Sequence, residues 1–424
     1  MGLLITILLL LFALSVPVAV SLGFSSIITM QIDGMPLIVG VQKVFESLDK
    51  FALMAVPFFI IAGSVMQFGG IARRLINFAN AFVGWLTGGL GAATVLGTMF
   101  FSTMSGSSSA TTAAIGSITI PHMEKKGYPK NFAAALVAAA GELGSIIPPS
   151  LNMIVYGLVA NVSIGSMFIA GIIPGVLIGI SLMVTVVIVS RLKGYDPGTR
   201  IDRKIWAKEL WVTFKDAIWA LLMPVIILGG IYSGFFTPTE AAVVAVVYGI
   251  VIGFFVYREL TMKDLMKILS RSAITTSILM IIVGFASIFG YILTINRVPH
   301  ALANTLSGIT DSPIIFLLIV NILVLIIGMF LETMAALIIL APILAPVAVQ
   351  FGIDPLHFGV IILINLAVGM VTPPIAVNLF VASEVANIRL DQIVRPILIF
   401  LVVLIVDLIL ITYIPALSTW LPTL

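Results

Sequence analysis

The chain has 424 residues, 61% of them hydrophobic and 9% charged, with a mean hydropathy of +1.24, which excludes a soluble domain and indicates an integral membrane protein. Uninterrupted apolar stretches of about 18 residues or more select membrane helices over a β-barrel, whose strands would show ten-residue alternation. With no cysteine, disulfides and thiolate metal sites are excluded, and the three scattered histidines, His122, His300 and His357, disfavour a metal centre.

The first apolar stretch, "LLITILLLLFALSVPVAVSLG", lacks the charged lead and small-residue cleavage site of a signal peptide, and reads as the first span, at 3–30. Further spans are expected at 51–68, 130–160, 166–190, 216–234, 238–257, 272–294, 355–385 and 396–414. This division places Arg73, Arg74, Lys125, Lys126, Lys130, the groups Arg191 to Lys215 and Arg258 to Arg271, Arg389 and Arg395 on one side. Only Lys43, Lys50 and Arg297 lie opposite. By the positive-inside rule the N-terminus is then cytoplasmic and the C-terminus external. Two cytoplasmic segments, 71–86 and 203–220, mix Trp and bulky apolar residues with cations. They read as surface helices or as landing places for a partner subunit, and Trp85, Trp206, Trp211 and Trp219 suit either role.

Arg74 and Lys125 share a side, so the chain between them crosses the membrane an even number of times or not at all. Gly88 to Ser102 is about 15 residues and Ala110 to Pro121 about 12, too short at about 1.5 Å per residue to cross a core of about 30 Å. The pair therefore reads as a re-entrant hairpin, about 88–121, with the tip "STMSGSSSATT" at 102–112. A second hairpin, about 313–350, is less obvious, since each of its halves could nearly span. Two spans would leave Glu332 and Thr333 at the cytoplasmic surface, whereas a hairpin puts them inside the membrane.

An internal repeat favours the hairpin. Pro121 and Pro346, Gly127 and Gly352, Gly144 and Gly369, Pro148 and Pro373, and Pro149 and Pro374 all pair at an offset of 225 residues. After a one-residue slip Asn152 pairs with Asn378 and Asn161 with Asn387. The same offset carries the first two spans onto 238–257 and 272–294, leaving one odd crossing that inverts the second half. The expected fold is an all-α polytopic membrane protein of two inverted-topology repeats, 1–215 and 238–424, linked by a span within 216–237. Each repeat has a re-entrant helical hairpin and a proline-broken helix, about 130–160 and about 355–385.

Proline removes a backbone donor and clashes with the preceding turn, and freed backbone groups survive in hydrocarbon only when buried in protein or lining a cavity. In inverted-repeat transporters such breaks hold the sites. Half-helix N-termini offer N–H groups to anions, and unwound carbonyls and C-terminal ends serve cations. The candidate cation ligands are Ser102, Ser107, Gly144, Ile147 and Pro148 in the first half and Thr333, Gly369, Thr372 and Pro373 in the second, chiefly as carbonyls and hydroxyls. The candidate substrate residues are Ser105, Gly106, Ser108, Ser109, Thr111, Asn152, Glu332 and Asn378. Glu332 is the sole carboxylate of its tip; Glu142, two residues before Gly144, comes next, and Glu240, Glu384 and Asp407 read as structural. The competing readings are small-residue packing for the serines, plain kinks for the prolines and a hydrogen-bonded structural role for Glu332. No GxxxxGK[ST], HExxH or assembled catalytic constellation occurs, which argues against ATP hydrolysis by this chain and against an enzyme. An ion channel is the rival, because hydroxyl-lined tips meeting in the membrane also describe a filter.

The stretches "VPFFIIAGSVMQFGGIARRL", "GTMFFSTMSGSSSATTAAIGSITIP", "GYPKNFAAALVAAAGELGSIIPPS", "LAPILAPVAVQFGIDPLHFGVIILINLAVGMVTPPIAVNLFVAS" and "YIPALSTWLP" resemble, across essentially the whole chain, the large membrane subunit of tripartite ATP-independent periplasmic (TRAP) transporters. The resemblance implies an elevator-type ion transporter fold in the bacterial inner membrane and uptake of an organic acid such as a sialic acid or C4-dicarboxylate, coupled to Na+. It also implies a small four-helix membrane subunit and a periplasmic substrate-binding protein as partners, besides the lipid bilayer and with no nucleic acid. The chain contains no extra four-helix block at its start, so the small subunit is expected to be a separate polypeptide. A binding-protein-independent organic anion symporter of a related elevator fold is the nearest alternative. Thr111 and Glu332 stand where many relatives look to have aspartate. A hydroxyl-rich first tip without that charge leans towards a polyhydroxylated acid, sialic acid first.

Overall fold

A computed structural model describes residues 2–198 and 202–423, and among them it contains helices and no strand. The chain opens with α1 (Gly2–Ala13) and α2 (Val18–Ile32). The single span expected at 3–30 is thus two short helices, each well under the roughly 30 Å of a hydrocarbon core at about 1.5 Å per residue. The interruption is Val16–Pro17. Proline has no N–H to give to a continuing helix and pushes the residue before it out of helical geometry. Ser15 turns the chain with φ +59°, and the Ser21 hydroxyl reaches back to the Val16 carbonyl at 3.2 Å.

The segment 33–50 carries α3 (Leu37–Leu48). Its inward side packs on a later helix, with Val44 against Gly284 and the Lys43 carbonyl accepting from Ser287 at 3.0 Å. Next come α4 (Ala55–Phe68) and α5 (Ile71–Val83). In α5 Ile71, Ala72, Leu75, Ile76 and Ala79 form one buried stripe at helical spacing, with Arg73 and Arg74 in its first turn. The first hairpin is α6 (Gly89–Ser105) and α7 (Ser108–Lys125), joined at Gly106 and Ser107. The broken helix follows as α8 (Lys130–Gly141), α9 (Leu143–Ile146) and α10 (Leu151–Val159), bent by 44° across 147–150, and then α11 (Ile164–Lys193).

The surface helix expected at 203–220 and the span expected at 216–234 are a single helix, α12 (Arg203–Tyr232). Asp202 caps its start, no breaker separates the two expected segments, and Ala217, Ala220, Met223 and Ile227 form one continuous buried stripe through Pro224. Trp206 donates to the Ala81 carbonyl at 3.0 Å, so at least this tryptophan ties α12 to the end of α5.

The second half runs α13 (Pro238–Val251), α14 (Met262–Ile295), α15 (Val298–Ser307), α16 (Pro313–Gly328), α17 (Thr333–Gln350), α18 (Pro355–Gly369), α19 (Val377–Ala386), α20 (Leu390–Tyr413) and the short α21 (Ala416–Thr419). The offset seen in the sequence is present in the elements: α7 and α17 start at 108 and 333, and α8 and α18 at 130 and 355, 225 residues apart in both cases. The long α14 corresponds to α3 and α4 taken together, which are parted in the first half by the non-helical Asp49–Lys50. The most deeply buried parts of the molecule are the two broken helices, joined where the Tyr156 hydroxyl donates to the Pro355 carbonyl at 2.7 Å. Glu240 completes a capping box with Thr237 on α13; the buried Asp407 accepts from Ser181 at 2.9 Å through Oδ1, and its Oδ2 has no partner among the described residues. His357 is likewise held by Ser418 (2.7 Å) and the Thr412 carbonyl (3.2 Å), and the described residues hold no metal-ligating cluster.

Candidate functional site

The first hairpin turns on Gly106, whose φ of +60° is a left-handed conformation that glycine adopts without steric cost. Ser107 is then extended, and α7 starts at Ser108 without a side-chain cap. This tip sits directly on the break after α9. The Leu151 N–H donates to the Gly106 carbonyl at 3.4 Å, the Ser108 hydroxyl to Ser145 at 2.8 Å, and the Ser150 hydroxyl to the Ser145 carbonyl at 2.7 Å. Gly144 lets the two segments meet: a Cβ there would lie 2.5 Å from Thr111 Oγ1 and 2.6 Å from the Ser107 carbonyl oxygen. Thr111 also exchanges a hydrogen bond with Ser105. Among the expected cation ligands, Ser107 and Gly144 are therefore in contact, Ile147 and Pro148 follow in the same buried break, and the Ser102 hydroxyl is buried without a partner one turn below the tip.

The second tip is built differently. Glu332 caps α17, accepting from the N–H groups of Met334 (3.0 Å) and Ala335 (3.3 Å), while the Thr333 hydroxyl points at Met370 Sδ, 2.7 Å away. Gly369 packs directly on Gly328, where a Cβ would come within 2.6 Å of backbone. Past it, the Thr372 hydroxyl donates to the Val368 carbonyl at 2.7 Å, the Ala376 N–H to Met329 at 3.2 Å and the Asn378 N–H to Met370 at 3.1 Å. The half-buried Pro373 stands in the bend between α18 and α19.

A cavity of about 320 Å³ lies where the tips meet. Ser105, Gly106, Ser107, Ser108, Ser109, Asn152 and Glu332 line it, which places the second tip beside the first, inside the protein, as a hairpin requires. Two expected substrate residues are not on its wall. Thr111 is fully buried against Gly144, and Asn378 is fully buried against Glu142, its Nδ2 donating to Glu142 Oε1 at 2.6 Å. The opposite wall comes from Ile60, Gly63, Ser64 and Gln67 of α4 and Thr275 and Leu279 of α14. Sequence reasoning does not single these out; the one signal is Gln67, a lone amide in an apolar helix, while Thr275 sits in the short polar run Thr275–Ser277.

The first turn of an α-helix carries N–H groups with no intrahelical acceptor, and these favour an anion. Two helices open on this cavity, α7 and α10, and neither has a side-chain cap. The third, α17, is already served by Glu332, the one formally charged residue among those lining the cavity. The arrangement can bind an anion at one end, hydrogen-bond hydroxyls along the serines, and offer carbonyls to cations at the two breaks.

Comparison with known proteins identifies the family. Residues 5–417 match the family described as "Tripartite ATP-independent periplasmic transporter, DctM component". The chain is 47% identical over 380 residues to the C4-dicarboxylate TRAP transporter large permease protein DctM of Pseudomonas aeruginosa, covering 90% of this chain and 88% of that one. It is 46% identical over 404 residues to the isethionate TRAP transporter permease protein DctMQ of Oleidesulfovibrio alaskensis, covering 95% of this chain but only 63% of that longer protein. To the sialic acid TRAP transporter large permease protein SiaM of Vibrio cholerae it is 40% identical over 383 residues, covering 90% and 89%. Among solved structures the YdaH transporter of Alcanivorax borkumensis shares the fold, with a TM-score of 0.61 at 15% identity over 90% of this chain and 86% of that one. The family is one of transport permeases rather than enzymes, and the chain belongs to it: it is a multi-pass membrane protein of the DctM component family of tripartite ATP-independent periplasmic transporters.

Proposed function

We propose that this permease takes up an organic acid with a single anionic group by sodium-coupled secondary transport. The supporting observation is the cavity itself. Two uncapped helix N-termini open on it, serine hydroxyls line it, and the Glu332 carboxylate is part of the same wall, where a second substrate carboxylate would meet a like charge. Its relatives carry the names of isethionate, C4-dicarboxylate and sialic acid permeases, all organic acids. The hydroxyl-rich wall favours sialic acid. Sodium binds at the two breaks, through Ser102, Ser107, Gly144, Ile147 and Pro148 on one side and Thr333, Gly369, Thr372 and Pro373 on the other.

The cavity lies between the hairpin tips and the helices α4 and α14, so it divides a moving body, α6 to α10 with α16 to α19, from a stationary one that includes α12. Displacement of the first against the second is the elevator route to alternating access. The chain works in the bacterial inner membrane, N-terminus cytoplasmic and C-terminus periplasmic, with a small membrane subunit encoded separately and a periplasmic binding protein that delivers the acid. Counterflow in proteoliposomes holding both membrane subunits, with a matched binding protein and labelled sialic acid, isethionate and succinate, tests the reading. Saturable uptake of a singly charged acid that needs sodium supports it; preference for succinate, or uptake equal in choline, overturns it. A single-channel current would replace it with the channel.

A further inference from the structure

Outside the cavity, the structure holds a buried carboxylate for which the two-sodium arrangement has no use. Glu142 lies immediately after α8, 1% exposed, and its Oε1 accepts from Asn378 at the start of α19 in the other half of the chain. Its Oε2 has no partner among the described residues, and neither do Asn378 Oδ1 and Thr112 Oγ1. Thr112 sits against the residue before Glu142, so closely that a Cβ on Gly141 would overlap its hydroxyl. No protein cation is at hand: segments 88–121, 131–160, 313–350 and 355–388, which build both hairpins and both broken helices, contain no lysine or arginine.

A carboxylate in such surroundings is tolerated only with a counter-charge. The C-terminal end of α8, which closes at Gly141, adds further negative potential at the same point. We infer that Glu142, Asn378 and Thr112 form a third sodium site, which joins the two halves of the chain and is separate from the sites at the breaks. Carboxylate, amide carbonyl and hydroxyl oxygens are the ligands a hard cation takes. A proton on Glu142 would neutralise the charge but satisfy one oxygen rather than three. The site is also wired to the first tip: the Glu142 carbonyl accepts from Ser145 at 3.0 Å, and Ser145 accepts from Ser108 on the cavity wall at 2.8 Å. Occupancy would hold α8 and α19 together and set the position of that wall.

The inference rests on the sodium-coupled reading, and equilibrium binding of radioactive sodium to the purified two-subunit complex separates the two. The expected result is three ions per complex for the wild type and two for Glu142→Gln, with both proteins melting at the same temperature in choline chloride and the variant gaining less stability from sodium chloride. Thr112→Val, which keeps the packing, should bind the third ion about tenfold more weakly, as loss of a supporting ligand does. Should Glu142→Gln fail to fold, the valine variant alone decides. Equal ion counts and affinities in wild type and variants would sink the third site while leaving the other two standing; no bound sodium in the wild type would remove the sodium reading as a whole.

Discussion

Gly144→Ala probes the proposed first sodium site most directly. The new methyl would lie 2.5 Å from Thr111 Oγ1, 2.6 Å from the Ser107 carbonyl oxygen and 2.9 Å from the Ser107 carbonyl carbon. Ordinary contact with backbone needs about 3.4 Å or more, so the hairpin tip must retreat from the break by about 0.8 Å. The Thr111 hydroxyl can turn aside, but the Ser107 carbonyl is backbone and no rotamer change removes it. Overpacking of this kind typically costs about 1–3 kcal/mol, which a membrane protein with an otherwise intact core survives. Metal ligation is less forgiving, because ligand distances hold to about ±0.2 Å. Retreat by several times that amount should raise the sodium concentration for half-maximal uptake tenfold or more, with little change in the acid concentration needed at saturating sodium. Gly229→Ala on α12 is the control, since nothing lies within 4 Å of its added Cβ. Uptake in proteoliposomes across a sodium series, alongside melting in detergent, reads both effects. A folded Gly144→Ala protein with wild-type sodium dependence would refute the placement of sodium at this break.

Gln67→Leu, on the cavity wall contributed by α4, should raise the KM for the acid severalfold without moving the sodium half-saturation, as read from two-dimensional uptake curves. Thr372→Ala removes the hydroxyl that steadies the second bend through the Val368 carbonyl, and should raise the sodium requirement more than it alters selectivity among acids in competition assays. Arg74 is the centre of a clamp between distant segments, bonded to Glu259 at 2.7 Å and Asp216 at 3.2 Å with Tyr257 stacked 3.8 Å from its guanidinium; Arg74→Ala should lower the melting midpoint by several degrees, reflecting about 2 kcal/mol lost, and Arg74→Lys should not restore it. Cysteines at Gly63 and Ser105, where a Cβ on residue 63 lies 3.2 Å from the Ser105 Cα, should crosslink α4 to the first tip and stop uptake until reduced; a verified crosslink that leaves uptake intact would remove the elevator-like division. The native chain has no cysteine to confuse that measurement.

The parts of this molecule that a sequence reader can find are those where backbone chemistry forces the residue type. Gly106, Gly144, Pro148 and Pro149 mark a turn, a close approach and a break in one half, and the break and close approach recur 225 residues later; their positions predict both hairpins and both broken helices. What the sequence conceals is set by rotation and by contact across long separations. Thr111 is one turn along α7 from the cavity-lining Ser108, yet it turns towards Gly144, and the sequence has no means of telling one side of a short polar helix from the other. Gln67 looks like a stray polar residue, and Thr275 like part of the polar run Thr275–Ser277, until α4 and α14 are seen to close the cavity. Glu142 and Asn378 meet across 236 residues. The departures at 3–30 and 203–234 have a local origin: a single proline outweighs a long apolar run in the first case, and in the second the helix passes straight through a change from charged to apolar composition.

Glu332 has a consequence for how the cavity is read by what enters it. A binding site assembled from two related halves is nearly palindromic, and a small ligand could settle in it head-first or tail-first with similar ease. Here the second half brings its own carboxylate to the end of α17, where the first half leaves the end of α7 bare. One pole accepts negative charge and the other repels it. On the proposed function, that asymmetry gives a duplicated scaffold a direction, so an acid entering the cavity would present the same end to the first hairpin each time.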